Sequence, residues 1–205
     1  MKHMYREIEN QPLIFRTVRS IMFINHTITN LPADDKTANA SGYRIGVHGK
    51  PEMEDKTMEK KNLDWGNIGF SYVTTDYRYV SNYKDGKWDE GTLTEDPNVV
   101  INECAGILQY CQECFEGLKA YTTEDGSIVT FRPDLNAERM MDSCARLEMP
   151  QFPKDRWIDA LDKVVKANEA WVPPYGSGAT LYIRPYMFAS GPVIGVKPSN
   201  EYQFR

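Results

Sequence analysis

Two cysteines, Cys111 and Cys114, stand two residues apart in QYCQECFEGLKAY (109–121). A Cys-x-x-Cys pair can exchange electrons or supply half of a zinc site. Redox chemistry wants such a pair at a helix N-terminus beside a βαβ unit, where the thiolate is stabilised. Here a strand-like segment follows instead. Zinc wants two further ligands at partner spacing. Cys104 and Cys144 are not paired that way, and the three histidines, His3, His26 and His48, all precede residue 58. Small, partly buried thiols lining packed elements suit this pattern better, so no metal site is expected. The same stretch has another reading. Tyr110 and Phe115 flank the cysteines and can wall a binding pocket.

Other residues carry chemical potential singly. Arg184 lies in ATLYIRPYMFAS (179–190), which reads as a strand with Leu181 and Ile183 on one face and Tyr182 and Arg184 on the other. An arginine buried in so apolar a strand needs an anionic partner or several acceptors, because an unpaired buried charge is very costly. That points to an anion site. Arg139 falls in a helical segment. Its ordinary reading is an exposed helix arginine, and its functional one is phosphate binding, which suits a planar fork of donors. Phe70, Tyr110, Phe115 and Tyr182 lie in separate segments, and an aromatic taken alone is more often core than pocket. The phosphate-binding glycine motifs, H-E-x-x-H and G-x-S-x-G are absent. With no histidine beyond residue 48, a nucleophile–histidine pair is not expected.

The elements that must position these residues emerge from residue 63 onward. The chain has 205 residues, 41% hydrophobic and 26% charged, which suits one globular domain or a domain with part of a second. The net charge of −5 and the lack of a clustered Lys/Arg face argue against nucleic acid as a partner. No apolar run approaches the roughly 20 residues of a membrane span, and no signal-peptide pattern opens the chain. The expected address is the cytoplasm, with the four cysteines as free thiols. Residues 1–57 show no sustained period and read as an extension, weakly ordered at best, with residues 58–205 as the domain. Within that domain, 76–91 reads as a hairpin turning at Lys84–Lys87 around Asp85-Gly86. LKAYTT and SIVTFR flank a second turn at Glu124-Asp125-Gly126. A helix follows from Pro133, with Leu135, Met140, Cys144 and Leu147 as its apolar positions and Pro150 as its stop. A second runs from about Asp155 to Trp171 with Trp157, Leu161, Val164 and Val165 inward. EYQFR opens a further strand, in which the chain stops. This order predicts an α+β domain with helices packed on an antiparallel sheet.

Together, CFEGLKAY, TFRPDLNAERMMDSCARLEMP and LYIRP…GPVIGV resemble the branched-chain amino acid aminotransferases, pyridoxal 5'-phosphate enzymes of fold type IV. The resemblance runs from about residue 62 to 205, continuous in order and spacing, and DWGNIGFSYVTTDYRY looks like the start of that family's small domain. It implies that Arg139 binds the cofactor phosphate. It implies that Phe70, Tyr110, Phe115 and Tyr182 wall the pocket for a branched side chain, so that Cys111 and Cys114 are incidental. Tyr110, Ile194 and Val196 would reach the neighbouring subunit's site in a homodimer. Arg184 would receive the distal carboxylate of glutamate or 2-oxoglutarate. A rigid aromatic pocket recognises leucine, isoleucine or valine by buried area, at roughly 25 cal/mol per Å².

The resemblance also carries a departure. The family's Schiff-base lysine lies in its C-terminal domain. Lys60, Lys61, Lys84, Lys87, Lys119, Lys154, Lys163, Lys166 and Lys197 do not stand in its context, so no catalytic residue is assigned. The carboxylate that partners the pyridine nitrogen is missing too. The expectation is the small domain of a transaminase, cut in its last strand and inactive alone. Two other readings stay open: another fold type IV enzyme, such as a D-amino acid aminotransferase or an aminodeoxychorismate lyase, and a short non-catalytic module pairing with a full-length subunit.

Overall fold

Asp85-Gly86 can adopt positive φ at both positions, and this is the backbone of a tight hairpin turn. In a computed structural model of the chain they do so, with φ of 53° and 80°, and they join β2 (Arg78–Lys84) to β3 (Lys87–Trp88). The structure describes residues 59–70 and 72–205, together with the backbone of Tyr43–Arg44. The latter pair forms β1, antiparallel to β7. The three histidines and the rest of the expected extension lie outside the described residues. The second predicted hairpin is β6 (Leu118–Thr122) and β7 (Ile128–Thr130), turning through Gly126 at φ 80°. The remaining strands are β4 (Thr92–Thr94), β5 (Glu113–Phe115), β8 (Leu181–Ile183), β9 (Tyr186–Ala189) and β10 (Tyr202–Phe204). The helices are α1 (Gly106–Tyr110), α2 (Pro133–Arg146) and α3 (Lys154–Ala167), followed by a 3₁₀ turn at Glu169–Trp171.

The α+β class holds, but the described strands make two sheets where one was expected. One is four-stranded in the order β1-β7-β6-β8. The other is six-stranded in the order β3-β2-β10-β9-β5, with β4 also on β2. Every described pairing is antiparallel. The single strand predicted over 179–190 is divided between them. Pro185 has no N–H to give a ladder and disfavours continuation through Arg184, so β8 ends at Ile183 and β9 starts in the other sheet. EYQFR does form a strand, and a central one. Tyr202 and Phe204 face the core while β10 bonds β2 on one side and β9 on the other.

Helices α2 and α3 close this core. The inward face of α3 is Trp157, Ala160, Leu161 and Val165, as its period predicts. On α2 the buried positions are Pro133, Asn136, Ala137, Met140 and Cys144. Leu135 and Leu147 are exposed, against expectation. They lie off the stripe set by the spacing 133, 136/137, 140, 144. Trp157 is 1% exposed, and its indole N–H donates to Met140 Sδ at 3.2 Å, joining the helices. α3 stops at Ala167, short of Trp171. The buried Asn168 turns its amide to Tyr77, accepting from the Tyr77 N–H at 3.0 Å and donating to the Tyr77 carbonyl at 3.0 Å. This ties the end of α3 to the residue before β2.

Candidate functional site

Five of the candidate residues, Phe70, Phe115, Arg139, Tyr182 and Arg184, gather where the two sheets exchange chain. Glu116 and Gly117, directly after Phe115, link β5 of one sheet to β6 of the other, and Arg184-Pro185 makes the matching link from β8 to β9. The two links are bonded together, with the Glu116 N–H donating to the Pro185 carbonyl at 2.8 Å. Side chains on this double crossing then make a continuous series of contacts. Phe70 meets Tyr182 edge to face at 5.3 Å. The Tyr182 hydroxyl accepts from Arg184 Nη2 at 3.0 Å and Nε at 3.3 Å. The Arg184 guanidinium carbon stands 4.6 Å from the centre of the Phe115 ring, a cation–π contact. On the next residue, the Glu116 carboxylate takes Arg139 from α2 side-on, with Nη2–Oε2 at 2.7 Å and Nε–Oε1 at 3.2 Å.

Arg184 is therefore not the buried cation that the strand pattern predicts. It is exposed, held by a hydroxyl and two aromatic faces, and it makes no ion pair among the described residues. Being at the strand's end rather than within it removes the desolvation problem. Its charge is not neutralised in place, so it can still receive an anion.

Arg139 is more tightly held. Its side chain is 59% exposed and that of Glu116 only 12%. Glu116 also accepts from Asn136 Nδ2 at 2.8 Å, and the same amide reaches the Gly117 carbonyl at 3.2 Å. Asn136 and Arg139 lie three residues apart on one face of α2 and converge on one carboxylate. Nε and Nη2 are engaged. Nη1 has no hydrogen bond among the described residues and can take a phosphate oxygen. The residues present thus fit a phosphate at Arg139. Sequence reading missed Glu116 and Asn136, although the i, i+3 spacing of Asn136 and Arg139 was a signal that both serve one partner.

Gly117 is fitted to Tyr182. A Cβ there would stand 2.5 Å from the Tyr182 hydroxyl. Gly117→Ala is expected to force the ring aside and release Arg184. Overpacking of this kind costs about 1–3 kcal/mol, measurable by urea unfolding. An unchanged midpoint would show that the ring moves freely.

The other candidates form a second group. The Tyr110 hydroxyl at the end of α1 donates to the carbonyl of Ile194 in a short hydrogen bond. The Ile194 and Val196 side chains are 76% and 92% exposed. No described contact joins this group to the crossing. Nor do the four aromatics enclose one cavity. A cavity of about 330 Å³ lies beside the crossing, lined by Tyr182 and Arg184 with Trp157, Leu161 and Phe204, but not by Phe70, Tyr110 or Phe115. Cys111 ends α1 in a left-handed conformation, φ 51°. That is the carbonyl end of the helix, which does not favour a thiolate. No cluster of metal-ligating side chains occurs among the described residues.

The site thus lies where two antiparallel sheets meet, backed by two helices in an α+β arrangement. No protein-family model matches the chain. It is 55% identical over 144 residues to a branched-chain-amino-acid aminotransferase of Haemophilus influenzae, covering 70% of this chain and 42% of that protein. It is 46% identical over 144 residues to the enzyme of the same name from Helicobacter pylori, with the same coverage. Among solved structures, the branched-chain amino acid aminotransferase of Thermobaculum terrenum in its PLP form aligns with a TM-score of 0.45 at 18% identity, over 63% of this chain and 39% of that one. Over the matched stretch the chain belongs to the branched-chain amino acid aminotransferase family. It spans less than half the length of these curated relatives.

Proposed function

We propose that residues 58–205 are the small domain of a branched-chain amino acid transaminase, preceded by an extension over 1–57. The complete protein moves the amino group of leucine, isoleucine or valine to 2-oxoglutarate. What carries this reading is the 55% identity over 144 residues with a protein of that name. The crossing geometry supports it, because it sets an exposed arginine for a phosphate and another for a carboxylate on adjoining elements.

Pyridoxal phosphate, when bound, supplies the electron sink for moving the amino group, with a lysine outside this chain as its attachment. The part of the described residues is binding and orientation. Arg139 offers its free edge to the cofactor phosphate while Glu116 and Asn136 fix its angle. Phe70, Phe115 and Tyr182 present apolar surface to a branched side chain. Arg184, steered by the Tyr182 hydroxyl and the Phe115 ring, meets the second carboxylate that glutamate brings and leucine lacks. Tyr110 holds the 192–196 loop so that Ile194 and Val196 project outward, as a subunit-sharing homodimer would use them. No described helix is long and apolar enough to cross a membrane, and we place the protein in the cytoplasm.

The test is glutamate formation by the complete protein from 2-oxoglutarate with L-leucine, L-isoleucine and L-valine, against D-alanine as amino donor, with pyruvate release from aminodeoxychorismate measured separately. Transfer from the branched L-amino acids alone is expected, and turnover of D-alanine or aminodeoxychorismate instead would move the chain to a sister activity. Arg184→Met should lower kcat/KM for glutamate about 10- to 100-fold, the worth of a charged hydrogen bond, with leucine changed only a few-fold. Equal losses for both substrates would remove Arg184 from carboxylate recognition.

A further inference from the structure

We propose that Cys114 and Cys144 are a thiol modification site, a dithiol that low-molecular-weight disulfides convert into an intramolecular disulfide between β5 and α2. The spacing in sequence directs attention to Cys111 and Cys114. The fold directs it elsewhere. Cys114 Sγ lies 3.5 Å from Cys144 Sγ, thirty residues away in the chain, and all four cysteines are thiols. Disulfide sulfurs sit about 2.05 Å apart, so closure needs a relative movement of about 1.5 Å, within the reach of side-chain rotation.

The two thiols are unequal, and this gives each a role. Cys114 is half-buried, at the strand edge of the crossing, whereas Cys144 is 0% exposed. The hydrogen bond between the two thiols holds Cys114 below its ordinary pKa, against burial and the nearby Glu116 and Glu113 carboxylates. The same contact, followed by burial, pushes Cys144 up. Cys114, the sulfur that a reagent can reach, is therefore the attacking thiolate, and the buried Cys144 is the resolving thiol. Cys114 attacks one sulfur of the reagent disulfide. Its S–S bond breaks, and the first thiolate leaves and takes a proton. Cys144 then attacks the Cys114 sulfur of the mixed disulfide, and the second thiolate leaves with the proton that Cys144 gives up. The two protein thiols lose two electrons, and the reagent disulfide gains them as two thiols.

The site stands whether or not the transaminase reading holds, but it falls at a telling place. Cys114 immediately precedes Phe115 and Glu116, and Cys144 shares α2 with Asn136 and Arg139. Oxidation would fasten together the two elements whose side chains set the Arg139 guanidinium.

The test uses the 205-residue chain with oxidised glutathione, then alkylation of remaining thiols and peptide mapping. The expected product is a Cys114–Cys144 cross-linked peptide, with Cys104 and Cys111 alkylated. Cys144→Ala should stop at a glutathione adduct on Cys114, and Cys111→Ser should cross-link as the parent does. A Cys111–Cys114 bridge would overturn the proposal. So would adducts on every cysteine without a bridge, or alkylation of Cys144 in the untreated chain as fast as that of Cys111. Mapping of the parent chain decides the matter even if a variant fails to fold.

Discussion

Trp157→Ala lowers the unfolding free energy by about 3–5 kcal/mol, the range for truncating a buried large aromatic. Against total stabilities of about 5–15 kcal/mol, that loss leaves the domain marginal. Three features put Trp157 at this extreme. It is almost wholly buried between α3 and the sheets. Its indole N–H reaches Met140 on α2, so its removal uncouples the two helices. It also lines the 330 Å³ cavity, so the space vacated by the ring opens into a void instead of being closed by neighbouring side chains. Urea unfolding followed by circular dichroism measures the loss. A change below about 1 kcal/mol would mean the site repacks, contrary to the usual dependence on residual cavity volume.

Arg139→Ala in the complete protein weakens cofactor affinity by about 10- to 100-fold from the lost contact alone, since a charge-assisted contact to phosphate contributes roughly 1.5–3 kcal/mol and a tenfold change is 1.4 kcal/mol. The larger part of the effect concerns what remains. Glu116 is 12% exposed, and its carboxylate is paired by Arg139. Without the guanidinium, it becomes a poorly solvated anion facing an incoming phosphate, so the variant suffers repulsion as well as a lost bond. Arg139→Ala with Glu116→Gln should therefore recover part of the affinity lost in the single variant. Glu116→Gln alone should weaken binding less than Arg139→Ala, because the guanidinium stays but loses its ionic anchor. Titration of pyridoxal phosphate by absorbance and the phosphorus resonance of the bound cofactor read these effects without turnover. If the double variant binds no better than Arg139→Ala, Glu116 is not opposing the phosphate. If Arg139→Ala itself leaves affinity unchanged, the phosphate lies elsewhere.

The elements that local chemistry determines were legible in the sequence. Asp85-Gly86 and Glu124-Asp125-Gly126 gave both hairpins because positive φ is a property of a few residues. The Trp157–Val165 stripe gave the inward face of α3. The register of α2 was harder. Leu135 and Leu147 have the composition of core residues, yet Asn136 takes the inward position because its amide has Glu116 and the Gly117 carbonyl to satisfy. Hydrophobicity scales carry no such information. The division of 179–190 between sheets was signalled by Pro185, but which sheet each half joins depends on strands far away in the chain. The charge of Arg184 was recognised and its burial was not, because alternation gives a face without giving the covering layer. Cys144 as the neighbour of Cys114 follows only from α2 lying against β5. The resemblance supplied roles for Arg139 and Arg184. It did not supply Glu116, the residue that holds Arg139 from beside the Phe115 contact with Arg184.

The central position of β10 has a consequence for how the polypeptide is made. β2 pairs with β10 through Tyr83 and Tyr202, roughly 120 residues apart, a separation typical of slow, high-contact-order assembly. At about 5–20 residues per second, a ribosome takes on the order of ten seconds to deliver β10 after β2 has been synthesised. Throughout that interval β2 has open hydrogen-bonding groups on the side β10 will occupy, and β9 has the same on its facing edge once it is made. Such edges recruit other strands. The nascent chain is thus most prone to aggregate before Glu201–Arg205 are added, and a chaperone that shields strand edges would serve it best in that window.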